Sequence, residues 1–308
     1  MRILLIFLLI VPMLSQAQVS RWVSNTCKSG TGTGTYTWSN GETYEGQCVN
    51  ERIHGHGTLY MADGDRYVGQ WRNNRQHGQG TYYWFSGDRY AGQWQEGVRS
   101  GKGTLTQANG DRYQGQWTNG RKNGQGTLTL ASGDRYEGEW VHDQMTGKGT
   151  YYWTNGDRYE GNWYDSRQQG QGIFYLANGD RYEGEFVDNQ RQGQGSYYWV
   201  NGDTYSGSWE NGHQQGEGVK SWTNGDQYQG QMQANRLNGK GVFTWADGNR
   251  FEGQFVDDVI HGEGMFYWPN GDRYVGSWRD GQRHGAGILI QANGERLEQM
   301  FADGKKVD

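Results

Sequence analysis

Three groups of residues in this sequence are of chemically capable types, and each recurs at a fixed interval. An aspartate, usually followed by arginine, stands at Asp65, Asp88, Asp111, Asp134, Asp157, Asp180, Asp203, Asp226 and Asp272. A row of carboxylates suggests cation ligands, and a row of arginines a stripe for anionic head groups. His54, His77, His261 and His284 share one position, with His56 beside the first, as a chain of metal ligands would. The segments "SGKGT" (100–104) and "TGKGT" (146–150) have the look of phosphate loops.

Spacing decides against all three. If equivalent positions lie on strands of successive hairpins, they are two strand spacings apart, about 9–10 Å. Oxygens ligating calcium sit about 2.3–2.6 Å from the ion, so neighbouring copies cannot share one. The aspartates then read as turn residues in a charge-balanced ladder. The histidines read as turn hydrogen-bonding groups, their position being filled elsewhere by Ser100, Asn123, Thr146 and Gln169. No Lys-Ser or Lys-Thr closes the glycine runs, and no helix is expected after them. There is no His-Glu-x-x-His, no Gly-x-Ser-x-Gly, and no irregular insertion to hold a unique acid–base pair. The expectation is a chain that is not an enzyme, with no catalytic residue, metal or cofactor.

The elements that must carry these residues are repeats. An aromatic recurs at Tyr44, Tyr67, Tyr90, Tyr113, Tyr136, Tyr159, Tyr182, Tyr205, Tyr228, Phe251 and Tyr274, with Leu297 as a worn last copy, every interval being 23 residues. A Gly-x-Gly pair keeps the same period from Gly32 to Gly285, which gives twelve units. Within a unit such as "GQGTLTLASGDRYEGEW" (124–140) a run of β-formers, a Ser/Asn-Gly-Asp turn and a second alternating run predict a β-hairpin. Tyr136, Gly138 and Trp140 fall on one face and Arg135, Glu137 and Glu139 on the other. The same pattern places Tyr44 with Gly46, Tyr67 with Gly69 and Trp71, and Tyr159 with Gly161 and Trp163 as structural groups of the repeat. The glycine is expected to leave room for a ring from a neighbouring strand, and the opposite face to be a lawn of polar and charged groups.

One hairpin cannot stand alone: burying a Tyr and a Trp stabilises by about 3–6 kcal/mol, whereas ordering 23 residues costs on the order of 30 kcal/mol. Stacking of hairpins must close the gap. The predicted fold is therefore all-β, an elongated, twisted, solenoid-like array of about twelve antiparallel hairpins, with roughly 24 strands at about 4.8 Å each.

At the amino end, Arg2, an apolar run Ile3–Leu14 and small residues Ser15 and Ala17 predict a signal peptide over 1–17, cut after Ala17. The run is shorter than the roughly 20 residues of a membrane-spanning helix. The chain is accordingly expected to be exported, to a periplasm, a cell envelope or the medium. Removing 1–17 deletes Arg2 and no acid, taking the net charge from −5 to −6, which argues against nucleic acid as a partner. Cys27 and Cys48, the only cysteines, are 21 residues apart. In an oxidising compartment a disulfide is the favoured reading, contributing about 3 kcal/mol; the alternative, two redox thiols, lacks the Cys-x-x-Cys spacing. Residues 18–31 read as an amino-terminal cap, 32–301 as the repeats, and 302–308 as a charged tail.

The residues "YEGEW" (136–140), the step His-Gly-x-Gly at 54–57, 77–80, 261–264 and 284–287, and the 23-residue period together resemble the MORN repeat family over about residues 32 to 301. The resemblance implies the hairpin array and a role in attaching or organising. Members are associated with phospholipid and membrane contact, with self-association, and with carrying a separate catalytic domain; here no stretch is left over for a lipid-kinase or methyltransferase domain.

One further row stands out. Trp38, Trp84, Trp153, Trp199, Trp222, Trp245 and Trp268 share a position at the end of the first strand, interrupted by Met61, Gln107, Leu130, Leu176 and Gln291. Rings at regular intervals pack on neighbours, stack on sugars or cover an apolar partner. The expected function is a non-catalytic scaffold, binding a protein partner or a second copy through this aromatic face. Peripheral phospholipid binding and polysaccharide binding at the envelope are the alternatives.

Overall fold

In the computed structural model the described residues are 19–307, so the expected signal peptide over 1–17 lies outside them. The chain forms two compact units, divided in sequence between Lys122 and Asn123. Twenty-six strands are present among the described residues, and no helix. The first unit holds nine complete strands, from Arg21–Asn25 to Arg112–Thr118, and the second sixteen, from Arg135–Val141 to Lys305–Val307; the remaining strand, Arg121–Thr129, contains the division. Within each unit consecutive strands pair antiparallel in chain order.

Two kinds of turn alternate. At the Asn-Gly-Asp end, Trp153 N donates to the Asp157 carbonyl at 3.0 Å and Gly156 N to the Trp153 carbonyl at 3.0 Å. At the other end two residues suffice: Tyr164 pairs with Arg167, and Asp165 and Ser166 between them have φ of 48° and 62°. Two positive φ values in succession define a type I′ hairpin turn, which matches the twist of the strands. Steps such as Asn73-Asn74, Asp188-Asn189 and Asp257-Asp258 occupy it elsewhere, residue types that tolerate the left-handed region.

The Gly-x-Gly step has two jobs. Gly138 lies opposite Gly149, but Glu139 lies opposite Thr146, so Gly147 and Lys148 form a bulge. Gly147 takes φ 57° there, and the Glu139 carboxylate receives the Lys148 amide at 3.3 Å. The second glycine makes room: a Cβ on Gly149 would come within 2.3 Å of Tyr136 Oη and 2.5 Å of its ring. This corrects the expectation about which ring fills the space. It belongs to the tyrosine two residues before Gly138 on the same strand, lying across Gly138 and its cross-strand partner.

The core of each unit is a row of these rings. Tyr44, Tyr67, Tyr90, Tyr136, Tyr159, Tyr182, Tyr205, Tyr228, Phe251 and Tyr274 are wholly buried. Most are clasped edge-on by two rings, as Tyr136 is by Trp140 at 5.3 Å and by Trp163 of the next repeat at 5.3 Å, whereas Tyr44, Tyr205 and Tyr228, beside Cys48 or Met232, meet one. Most polar tips are satisfied locally, as Tyr136 Oη donates to the Glu139 carbonyl at 3.1 Å and Trp163 Nε1 to the Gly149 carbonyl at 3.1 Å; in the last repeat the Tyr274 hydroxyl and the Trp278 indole N–H are buried without a protein partner.

The ends depart from the pattern. Cys48 takes the place of the tryptophan and is bridged to Cys27, with both residues buried and their Cα atoms 5.8 Å apart. The strand Arg21–Asn25 covers the first hairpin, pairing with Thr31–Thr37. At the other end Lys305–Val307 pairs with Met300–Ala302, and Leu297 is 37% exposed where its predecessors are buried.

Candidate interaction face

Beside the buried row runs a second, outer row of rings on the same face, since Tyr151 lies directly opposite Tyr136 in the sheet. All seven tryptophans singled out above lie in the outer row of their own unit, Trp38 and Trp84 in the first and Trp153, Trp199, Trp222, Trp245 and Trp268 in the second, and are half-buried. Each except Trp222 sits against an aromatic ring two residues earlier: Trp84 is 4.6 Å from Tyr82, Trp153 4.5 Å from Tyr151, Trp199 4.6 Å from Tyr197, Trp245 4.7 Å from Phe243 and Trp268 4.9 Å from Phe266. The row continues from repeat to repeat, with Trp153 at 5.3 Å from Phe174, Trp222 at 5.4 Å from Phe243 and Trp245 at 5.5 Å from Phe266. Where Lys220 replaces the ring, its Nζ stands 5.4 Å from Trp199 and 5.0 Å from Trp222, bridging the interval as a cation over two π-faces.

The two rows differ in their polar atoms. In the buried row the indole N–H of Trp71, Trp94, Trp117, Trp140, Trp163 and Trp209 donates to a glycine carbonyl at 3.1–3.2 Å. In the outer row, among the described residues, no protein acceptor meets the indole N–H of Trp153, Trp199, Trp222, Trp245 or Trp268. Tyr44, Gly46, Tyr67, Gly69, Trp71, Tyr136, Gly138, Trp140, Tyr159, Gly161 and Trp163 all belong to the buried, satisfied row. One row seals the fold, and the other presents rings and donors outward. Beyond Trp268 the outer row opens into a cleft of about 380 Å³ between Trp268, Arg283, Phe301 and Lys306.

Each turn aspartate clamps its hairpin to the next. Asp134 Oδ1 accepts the Thr154 amide at 2.8 Å, Asp157 that of Ala177 at 2.8 Å, Asp180 that of Val200 at 2.8 Å and Asp226 that of Ala246 at 2.9 Å. The Thr154 amide holds the Asp134 carboxyl below its ordinary range, and the Thr223 amide does the same for Asp203. At Asp180 burial pushes upward, but hydrogen bonds from Tyr197, Val200 and Asn178 outweigh it. These carboxylates are therefore committed to structure.

The arginines that follow them do not form an open stripe. Arg135, Arg158, Arg181 and Arg250 lie over Tyr152, Tyr175, Tyr198 and Tyr267 at 4.1–5.1 Å. Each also pairs with the glutamate two residues on, as Arg158 does with Glu160 at 2.9 Å. The opposite face is thus no simple polar lawn but carries tyrosines capped by arginine, a cross-strand pairing that single-strand alternation does not reveal. His77 lies 3.6 Å from Glu96 and His284 3.3 Å from Asp303, and no group of three metal-ligating side chains exists among the described residues. The Gly-Lys-Gly steps at 101–103 and 147–149 are strand bulges.

Burial also marks the sealed row chemically. It pushes the phenols of Tyr90 and Tyr205 up to about 12, and those of Tyr67, Tyr136, Tyr159 and Tyr182 higher still.

The MORN repeat model matches twelve consecutive segments, 31–43 and then every 23 residues from 44–66 to 274–296. The chain belongs to the MORN repeat family, a repeat family that is not enzymatic and whose arrays are scaffolds for protein or membrane interaction. No curated protein matches it. Among solved structures it is similar to the TCP domain of SAS-4 from Drosophila melanogaster, determined in complex with a proline-rich motif of Ana2, at 15% identity over 57% of this chain and 90% of that one, with a TM-score of 0.35. It is also similar to the wild-type TCP10 domain of Danio rerio CPAP, at 8% identity over 87% of this chain and 99% of that one, TM-score 0.23. Nothing below rests on these two likenesses.

Proposed function

We propose that this chain is a non-catalytic scaffold of an extracytoplasmic compartment that docks protein partners along its outer aromatic row. The observation that carries this reading is the division between the rows: six buried tryptophans, all but Trp278, spend their indole N–H groups inside the sheet, whereas the outer ones keep both ring surface and donor available. Half-buried aromatics on a rigid support are what an interface core is made of, because they lose little conformational entropy when a partner covers them. A phospholipid-binding role would draw on the arginine row, and those guanidinium groups are already engaged by tyrosine and glutamate. The extracytoplasmic assignment rests on the leader-like residues 1–17.

The test is capture of partners from envelope extract by the chain and by a variant with Trp153, Trp199, Trp222 and Trp245 all changed to Ala, with circular dichroism as the control for folding. Loss of the partners supports the reading; retention of the same partners by the folded variant refutes it.

A further inference from the structure

Four successive repeats of the second unit carry a tryptophan in the outer row: Trp199, Trp222, Trp245 and Trp268. Equivalent positions in consecutive hairpins are two strand spacings apart, about 9.6 Å. A polyproline II helix has three residues per turn at about 3.1 Å each, a pitch of about 9.3 Å. The two periods agree to within a few per cent, so a segment in this conformation laid across the strands would meet each tryptophan with the same side of successive turns. Four tryptophans span about 29 Å, which such a helix covers in about nine residues.

The chemistry of the row is complementary as well as its spacing. From Trp199 to Trp268 the groups offered are rings, indole N–H donors and one ammonium, Lys220. The carboxylates beside the row, Asp203, Asp226 and Asp272, each receive the amide of the next turn, at 2.8–3.0 Å. The face is therefore donor-rich. A proline-rich segment is the matching ligand: proline has no N–H, its carbonyls point outward unpaired, and its rings are compact and apolar. The positive ends of the indole and ammonium donors meet the negative ends of those carbonyls, while the indole planes meet the pyrrolidine rings. A lipid surface would need a continuous cationic patch, and this row offers one ammonium, Lys220.

We infer that the outer row from Trp199 to Trp268 is a docking groove for an extended proline-rich segment of a partner protein, one indole per turn of polyproline II helix. This rests on the reading of the outer row as the docking face, and it names the partner's chemistry.

The experiment titrates the full chain with a peptide of about nine prolines and, separately, with a Gly-Ser peptide of the same length, following tryptophan fluorescence. The expected result is saturable binding of the proline peptide alone. Trp222→Phe and Trp245→Phe keep a ring and lose one donor, and each should weaken binding about fivefold to tenfold. Tyr164→Ala, at an exposed site on the opposite face, should leave it unchanged. Equal binding of the two peptides, or proline binding indifferent to both Phe variants, overturns the proposal. So does a polysaccharide or an anionic vesicle that binds in its place with the same sensitivity to those variants. If captured partners are lost in the tryptophan-to-alanine variant yet are not displaced by the proline peptide, the docking face stands and the proline assignment fails.

Discussion

The Asp157 carboxylate accepts the backbone amide of Ala177 at 2.8 Å, a hydrogen bond that leaves one hairpin and closes on the next. The same contact recurs as Asp134 to Thr154, Asp180 to Val200 and Asp272 to Ala292. Asp157→Ala should therefore loosen the joint between two repeats rather than one turn. The expected cost is about 1–2 kcal/mol in urea unfolding, with faster amide exchange at Ala177; unchanged exchange there would show the clamp to be idle.

Gly149→Ala should be more damaging than an ordinary glycine replacement in a strand. The new Cβ would meet the Tyr136 ring at 2.5 Å, and that ring is already clasped by its neighbours. Overpacking of this kind costs about 1–3 kcal/mol. Urea unfolding checks it, and Tyr136→Phe should recover little, because the clash is with the ring as well as the hydroxyl.

How much of this was legible in the sequence follows from which interactions are periodic along one strand. The period of 23, the hairpins and the paired faces of Tyr136, Gly138 and Trp140 were all readable, because alternation and turn chemistry are local properties. The Asp157 clamp was not: a turn aspartate signals its own turn, and nothing in "TNGD" tells that its second duty is to Ala177. The bulge at Gly147 was hidden because a Gly-x-Gly step shows two glycines without saying that one serves φ and the other space. Trp153 and Trp163 look alike as letters, and only register separates the indole that finds a carbonyl from the one that does not.

Stability should fall steeply in alkali. Tyr90 and Tyr205 have folded values of about 12 against 10.0 when unfolded, raised by burial. A raised value means the neutral phenol is favoured by the fold. Its contribution is complete below about pH 10, and is lost as pH rises through about 12. Tyrosinate absorbance and near-ultraviolet circular dichroism should therefore change together above pH 10; buried phenols titrating near pH 10 with the fold intact would contradict this.

Reducing Cys27–Cys48 should destabilise the amino-terminal end without touching the distant repeats. The bridge spans 21 residues and holds the covering segment to the first hairpin. The expected loss is about 3 kcal/mol, seen as faster amide exchange in Arg21–Asn25 and Thr31–Thr37 on adding a thiol reductant. Exchange that accelerates equally in the carboxy-terminal repeats would show that the bridge acts on the whole array.

The division between a sealing row and a presenting row is tested most directly by hydrogen exchange at the fifteen indole N–H groups, resolved by nitrogen-15 NMR. In the free chain Trp71, Trp94, Trp117, Trp140, Trp163 and Trp209 should exchange slowly. Trp153, Trp199, Trp222, Trp245 and Trp268 should exchange fast, and slow down when a ligand is bound. Outer indoles already protected in the free chain, or left unprotected by a bound partner, would contradict the account.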